Sequence, residues 1–265
     1  MAMAASGEWT FPTYPNLAGK VALVTGGSRG IGAATCRALA ANGVRVAVNG
    51  RDQAAIDATV DRITTAGGEA IGVAADCTDV AAIERMRGQV EQAFGPVDVL
   101  MAFVGGLGNS MPTVEVSPEQ WRAVIDANLT ATFLTVRSFL PGMIDRRRGV
   151  ILTMSSSAGR VGRGQAAAAY AAAKAGVVMF TEHLAREVGQ YGIRLNCLAP
   201  SAVLTETSGL NRVPEEVRRQ LAASFPLGRI GTPEDVAEAA LFLASDSSSW
   251  ITGLTLDLAG GRAGG

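Results

Sequence analysis

The sequence predicts an α/β protein: one domain on a doubly wound parallel sheet of about seven strands, with helices on both faces. Three observations predict it. Short β-branched or apolar runs alternate with helix-favouring segments along the chain, with no all-β or all-α block. A glycine-rich turn separates the first run from the first helix. Later runs end in polar or glycine-rich residues, at Asp76-Cys77, Gly105-Gly106 and Ser155-Ser156, and the carboxyl edge of such a sheet is where ligands bind.

Composition bounds the reading. A chain of 265 residues can bury a substantial core, and 48% hydrophobic with 18% charged residues is an ordinary globular balance. The net charge of -1 offers no broad attraction to nucleic acid, and Arg146-Arg147-Arg148 is short enough to read as a solvated turn. No apolar run approaches the roughly 18 residues of a membrane span. Residues 1–17 form a polar, proline-containing extension carrying Trp9, Phe11 and Tyr14, expected to be loosely ordered or to dock those rings on a neighbour. They lack the charged start and apolar core of a secretory signal. The domain proper is expected over 18–265. Cys36, Cys77 and Cys197 are scattered, odd in number and without metal spacing, which reads as reduced packing residues of a cytoplasmic protein. His183 is the single histidine, so neither a metal centre nor a Ser-His-Asp triad is supported.

In chain order, residues 20–25 read as the first strand, followed by Thr25-Gly26-Gly27-Ser28-Arg29-Gly30-Ile31-Gly32 and a helix over 33–41 that stops at Asn42-Gly43. Strand, glycine turn and helix in this order make the Rossmann-type arrangement that aims free backbone N–H groups at a phosphate, so a dinucleotide is expected here. Residues 44–48 are the second strand. An NAD site usually sets a carboxylate after it for the ribose 2′-hydroxyl, whereas this chain has Asn49-Gly50-Arg51-Asp52. Arg51 and Arg29 suit a 2′-phosphate, because guanidinium groups fork onto phosphate, so NADP is the expected cofactor and NAD stays possible. Asp52 points the other way, or caps the helix that begins at Gln53. A third strand is expected over 70–75. Asp76 then either bonds an adenine amino group or opens the helix at 79–94. A fourth strand over 97–103 and a long helix over 118–140 follow.

Residues 150–154 deliver Ser155, Ser156 and Ser157 to the end of the fifth strand. On the alanine-rich helix beyond, Tyr170 and Lys174 are four residues apart and rise from one face. A phenol of ordinary pKa about 10 is a poor proton carrier near neutrality, and an ammonium one turn away favours its ionisation. Such a tyrosine, with a serine hydroxyl on the same substrate oxygen, can handle a carbonyl or alcohol but needs a cofactor to take two electrons. The helix runs to about 190, and residues 193–198 are the sixth strand. Residues 201–225 are long for a simple connection. Thr232-Pro233 begins a helix to about 245, and 254–258 is the last strand.

Together these positions resemble the short-chain dehydrogenase/reductase family, in its 3-oxoacyl-carrier-protein reductase-like branch. Thr25-Gly26 with Gly30-Ile31-Gly32, the Asp76 strand end, Asn128, the serine run, Tyr170 with Lys174, and Ile251-Thr252-Gly253 carry the likeness over about residues 18–261. The resemblance implies that Ser156 binds the substrate oxygen and Tyr170 transfers the proton. Lys174 would hold the nicotinamide ribose, and Asn128 would anchor a proton-relaying water. It also implies cofactor contacts at Gly26, Ser28, Arg29, Gly30, Ile31, Gly32, Arg51, Asp76, Cys77, Gly105, Pro200, Val203 and Thr205, a substrate lid over about 201–225, and a homotetramer built on the last strand and the two long central helices. Counting back from Gly159 selects Ser156, while the family's commonest spacing to the tyrosine selects Ser157. Two departures stand out: Ala102-Phe103-Val104-Gly105 replaces the usual Asn-Asn-Ala-Gly, with Phe103 available to fill the space, and Pro200-Ser201 replaces Pro-Gly. The function implied is an NADP-dependent oxidoreductase interconverting a ketone and a secondary alcohol, its substrate open. The alternative is a catalytically silent cofactor-binding redox sensor.

Overall fold

The computed structural model describes residues 10–108, 110–162 and 167–262. Its seven strands are β1 (Val21–Thr25), β2 (Arg45–Gly50), β3 (Ala70–Ala74), β4 (Val99–Ala102), β5 (Gly149–Met154), β6 (Ile193–Pro200) and β7 (Thr255–Leu258). They form one sheet in the order β3-β2-β1-β4-β5-β6-β7, and every pairing is parallel. Strands β1 and β4 are buried at every residue, because both sheet faces are covered. This explains why they read as unbroken apolar runs rather than as alternation.

One face is covered by α1 (Gly30–Ala41), α2 (Gln53–Thr65) and α8 (Pro233–Ala244), whose Leu39, Ile56 and Leu241 meet Val24, Val46 and Leu152. The other is covered by α3 (Val80–Phe94), α5 (Ala131–Asp145) and α6 (Ala168–Val188), whose Met86, Phe139 and Leu184 meet Leu23, Leu100 and Ile151. The strand order reverses between β1 and β4, and their carboxyl ends open a crevice there, the place where such sheets bind ligands.

Three elements differ from the sequence-based expectation. The long helix over 118–140 is three pieces: α4 (Pro118–Ile125), a π-helical turn (Asp126–Thr130) and α5. The Thr132 hydroxyl donates to the Asn128 carbonyl at 2.7 Å, and the Asn128 amide donates to the Val124 carbonyl at 2.9 Å, so side chains take up bonds around the widened turn. Within 201–225 the chain forms a 3-10 turn (Leu210–Arg212) and α7 (Glu215–Ala223), which buries no residue and carries the i,i+3 pairs Glu215–Arg218 and Glu216–Arg219. An apolar stripe strong enough to announce α7 is therefore missing from the sequence.

Residues 10–17 are tied to the domain. Leu17 is fully buried, Phe11 and Tyr14 pack on the core, the Tyr14 N–H donates to Asn42 Oδ1 at 2.6 Å, and Asn42 Nδ2 returns a bond to the Pro12 carbonyl at 3.1 Å. Trp9 lies outside the described residues.

Candidate active site

The turn from β1 into α1 is built for backbone approach. A Cβ on Gly32 would stand 2.1 Å from the Gly26 carbonyl oxygen, so no side chain fits where turn and helix touch. The Gly27 N–H donates to the Asn49 carbonyl at 2.8 Å, and the Asn49 amide is held by the carbonyls of Val73 and Ala75, so β2 and β3 fix the turn from below. Arg29, at the N-cap of α1, offers no side-chain cap, and the Gly30 N–H is met instead by Glu206 Oε1 at 2.9 Å. The start of α1 thus presents a donor that holds an anionic group, an arrangement that fits a dinucleotide diphosphate.

Beyond the carboxyl end of β2, Arg29 pairs with Asp52, which also accepts from the Ala55 N–H, and Arg51 pairs loosely with Asp76 at 3.9 Å. Asp52 is therefore both helix cap and arginine partner. The Arg29 and Ala55 bonds hold its carboxyl below the usual range, the backbone bond foremost. Asp76 likewise accepts from the Thr78 N–H at 2.9 Å and hydroxyl at 2.7 Å, which lowers its pKa, while the cap of α3 is Asp79. The Cys77 thiol is buried and donates to Asn49 Oδ1 at 3.4 Å, and burial pushes it up to about 11.

The chemical centre stands at the ends of β4 and β5. Tyr170 and Lys174 are both buried on α6, with the Lys174 Nζ 5.6 Å from the Tyr170 ring centroid and donating to the Met154 carbonyl at 2.8 Å. Ser155 donates to the Lys174 carbonyl at 2.8 Å and so ties β5 to α6. Of the serines, Ser156 is the one whose side chain stands close enough to the Tyr170 phenol to favour its ionisation, while its hydroxyl accepts from the Ala158 N–H at 3.2 Å; Ser157 starts a 3-10 turn and lines a neighbouring cleft. Asn128 is fully buried, its amide donating to the Gly106 carbonyl at 2.9 Å and its oxygen accepting from the Gly106 N–H at 3.2 Å. A Cβ on Gly105 would stand 2.6 Å from Asn128 Oδ1 and 2.9 Å from Lys174 Nζ, so all three converge. A cleft of about 600 Å³ opens between Ser157, Val203, Phe225, Leu258 and Arg262, a size suited to a small molecule.

The electrostatics correct one expectation. Burial raises the Tyr170 pKa, and the opposing contribution is the Ser156 bond rather than the Lys174 charge. The amine sits over the ring, not at its oxygen, and burial depresses Lys174 itself to about 8. The Lys174 proton therefore costs folding energy below that value, and stability returns as pH rises from about 8 towards the ordinary lysine pKa. Between pH 7.5 and 10 the unfolding free energy of the wild type should gain about 2 kcal/mol on Lys174→Met in denaturant titrations. A difference that stays flat with pH would contradict the buried amine.

Both departures from the family pattern are accounted for. The Thr25 hydroxyl accepts from the N–H groups of Phe103 at 3.0 Å and Val104 at 3.2 Å, while Phe103 fills core space as expected. Ser201 needs no glycine-like backbone: its N–H extends the pairing to the Leu258 carbonyl at 3.0 Å, and Arg147 is the one non-glycine with positive φ among the described residues. Thr25, Asn49 and Glu206, which accepts from the Gly30 N–H of the turn, carry no signal of their own; a polar residue ending an apolar strand was the available clue for the first two.

A Rossmann-type sheet with a glycine turn facing a Ser-Tyr-Lys-Asn cluster defines a class, the nicotinamide-dependent short-chain oxidoreductases. The sequence model of the family described as enoyl-(acyl carrier protein) reductase matches residues 26–262. The chain belongs to this short-chain dehydrogenase/reductase family and is an NAD(P)-dependent oxidoreductase. It is 37% identical over 246 residues to 3-oxoacyl-[acyl-carrier-protein] reductase FabG of Escherichia coli (strain K12), covering 93% of this chain and 98% of that one. A 3-oxoacyl-[acyl-carrier protein] reductase with bound NAD from Brucella melitensis superposes with a TM-score of 0.85 at 34% identity, covering 96% and 97% of the two chains. A variant of actinorhodin polyketide ketoreductase with NADPH gives 0.87 at 34% identity over 92% and 97%. These relatives favour turnover over the silent-sensor reading. Among the described residues no group of side chains could hold a metal ion, and no helix is long and apolar enough to cross a membrane.

Proposed function

We propose that the protein is an NADP-preferring reductase that interconverts a ketone and a secondary alcohol, with 3-oxoacyl thioesters as the first substrate class to test. The convergence of Ser156, buried Tyr170 and buried Lys174 beside Asn128 and Gly105, at the strand ends next to the glycine turn, carries the reading. Ser156 donates to the substrate oxygen and orients it. Tyr170, kept protonated at neutral pH by burial, gives its proton to that oxygen. Lys174 holds the nicotinamide ribose, and a water at Asn128 passes protons from Lys174 back to the phenol. The reduced nicotinamide, when bound, supplies the hydride to the carbonyl carbon. Gly26, Ser28, Gly30, Ile31 and Gly32 would hold the diphosphate, Asp76 would serve the adenine, and Gly105, Pro200, Val203 and Thr205 would hold the nicotinamide. Residues 201–225 cover the site against water.

NADP preference rests on Arg51, whose side chain is 81% exposed and held only at 3.9 Å by Asp76, free to fork onto a 2′-phosphate. Arg51→Ala should weaken NADPH binding roughly five- to tenfold more than NADH binding in fluorescence titrations; equal losses would count against it. Exposed apolar side chains on the elements named for assembly, Phe133 of α5, Met179 of α6, and Trp250 and Leu254 before β7, support a homotetramer. A light-scattering mass of one 27.2 kDa chain would refute that. The three buried, unpaired thiols support a cytoplasmic setting; disulfide formation by Cys36, Cys77 or Cys197 in protein isolated without reductant would oppose it.

A further inference from the structure

One contact at the glycine turn belongs to none of these roles. The Gly30 N–H, the first donor of α1, is taken by Glu206 Oε1 of the lid at 2.9 Å. The lid presses on the turn at the same point: a Cβ on Gly30 would stand 3.2 Å from the Thr205 methyl group. The lid segment behind the contact is braced. Ser208 accepts from the Thr205 N–H at 3.2 Å and donates to the Thr205 carbonyl at 2.9 Å, and Asn211 donates to the same carbonyl at 3.1 Å. Glu206 thus rests on the turn as part of a preformed loop.

We propose that Glu206 is an internal competitor for the dinucleotide's diphosphate, so that cofactor entry and lid movement are one exchange. This rests on the dinucleotide reading above and adds the residue that opposes binding. A single N–H cannot give a full bond to a carboxylate and a phosphate at once, and two anions at one donor repel. The diphosphate gains the Gly30 donor only when Glu206 leaves it, and Glu206 leaves only with the Thr205 to Ser208 loop. The same competition weakens cofactor binding and hastens release, the step that limits many enzymes of this design. Because the carboxylate and Thr205 sit on one loop, the residue that blocks the diphosphate moves with one that borders the nicotinamide.

The test is calorimetric titration of the full chain, its Glu206→Gln and its Glu206→Ala variants with NADPH, with ADP, which carries a diphosphate but no nicotinamide, and with 2′-AMP, which carries no diphosphate. Removing the carboxylate should tighten NADPH and ADP about five- to tenfold in both variants by releasing the binding-competent lid. Affinity for 2′-AMP should stay within about twofold, which also shows that the variants are folded. Unchanged or weaker NADPH binding in both variants would overturn the proposal, as would equal tightening of 2′-AMP, which would mark a general charge effect. Failure of all three proteins to bind NADPH would overturn the dinucleotide reading itself, and this inference with it.

Discussion

Tyr170→Phe should lower ketone reduction by about a thousandfold while leaving the NADPH dissociation constant within about twofold. The substitution removes one oxygen from a ring that is otherwise packed: Tyr170 is buried on α6, and its ring still lies against Lys174. Its hydroxyl lies beside Ser156, so what is lost is the proton carrier, not a wall of the cofactor site. Stopped-flow loss of NADPH absorbance against a ketone panel measures the rate, and fluorescence titration measures binding. A rate within tenfold of wild type would remove Tyr170 from the chemistry. Ser156→Ala should fall in the same direction by a smaller factor, because the phenol keeps its proton.

Gly32→Ala should abolish cofactor binding by a different route. The new methyl would meet the Gly26 carbonyl oxygen at 2.1 Å, its carbon at 2.7 Å and Gly27 Cα at 2.9 Å, all of them backbone. Nothing flexible can yield, so α1 must pull away from the turn and the N–H donors lose their aim. NADPH affinity should drop at least a hundredfold, and the domain should lose about 2 kcal/mol, as in other overpacked sites. Gly88→Ala is the control: it lies in α3, where an added Cβ meets nothing within 4 Å, and it should stabilise by up to about 1 kcal/mol with binding unchanged. Calorimetric titration and thermal unfolding separate the two. An alanine at residue 32 that binds NADPH normally would mean that the turn is not the diphosphate site.

Much of this was legible in the sequence, for reasons that differ by residue. The strand runs, the turn at Gly26 to Gly32 and the Tyr170 and Lys174 pair announce themselves, because apolar period, missing side chains and helical spacing are local properties. Counting back from Gly159 selects Ser156 and the family's commonest spacing to the tyrosine selects Ser157; the placement of the Ser156 side chain beside the Tyr170 phenol favours Ser156. The π turn at Asn128 was invisible because an extra residue in a helical turn leaves the apolar pattern nearly intact. Glu206 was missed for a plainer reason. It meets Gly30 across 176 positions of sequence, and no local rule reports such a contact. The ionisation of the site was the least legible part: adjacency suggested a lysine that acidifies the phenol, whereas burial of both groups decides the direction each one moves.

The central claim is that this Ser-Tyr-Lys cluster directs hydride from a bound nicotinamide to a carbonyl carbon. Single-turnover reaction with NADPH deuterated at nicotinamide C4, followed by mass analysis of the alcohol, tests it most directly. The account predicts one deuterium on the carbinol carbon with wild-type enzyme, from one face of the ring, and none with Tyr170→Phe on the same timescale. Oxidation of NADPH that leaves the alcohol unlabelled, or tight NADPH binding with no oxidation by any ketone of a broad panel, would contradict it.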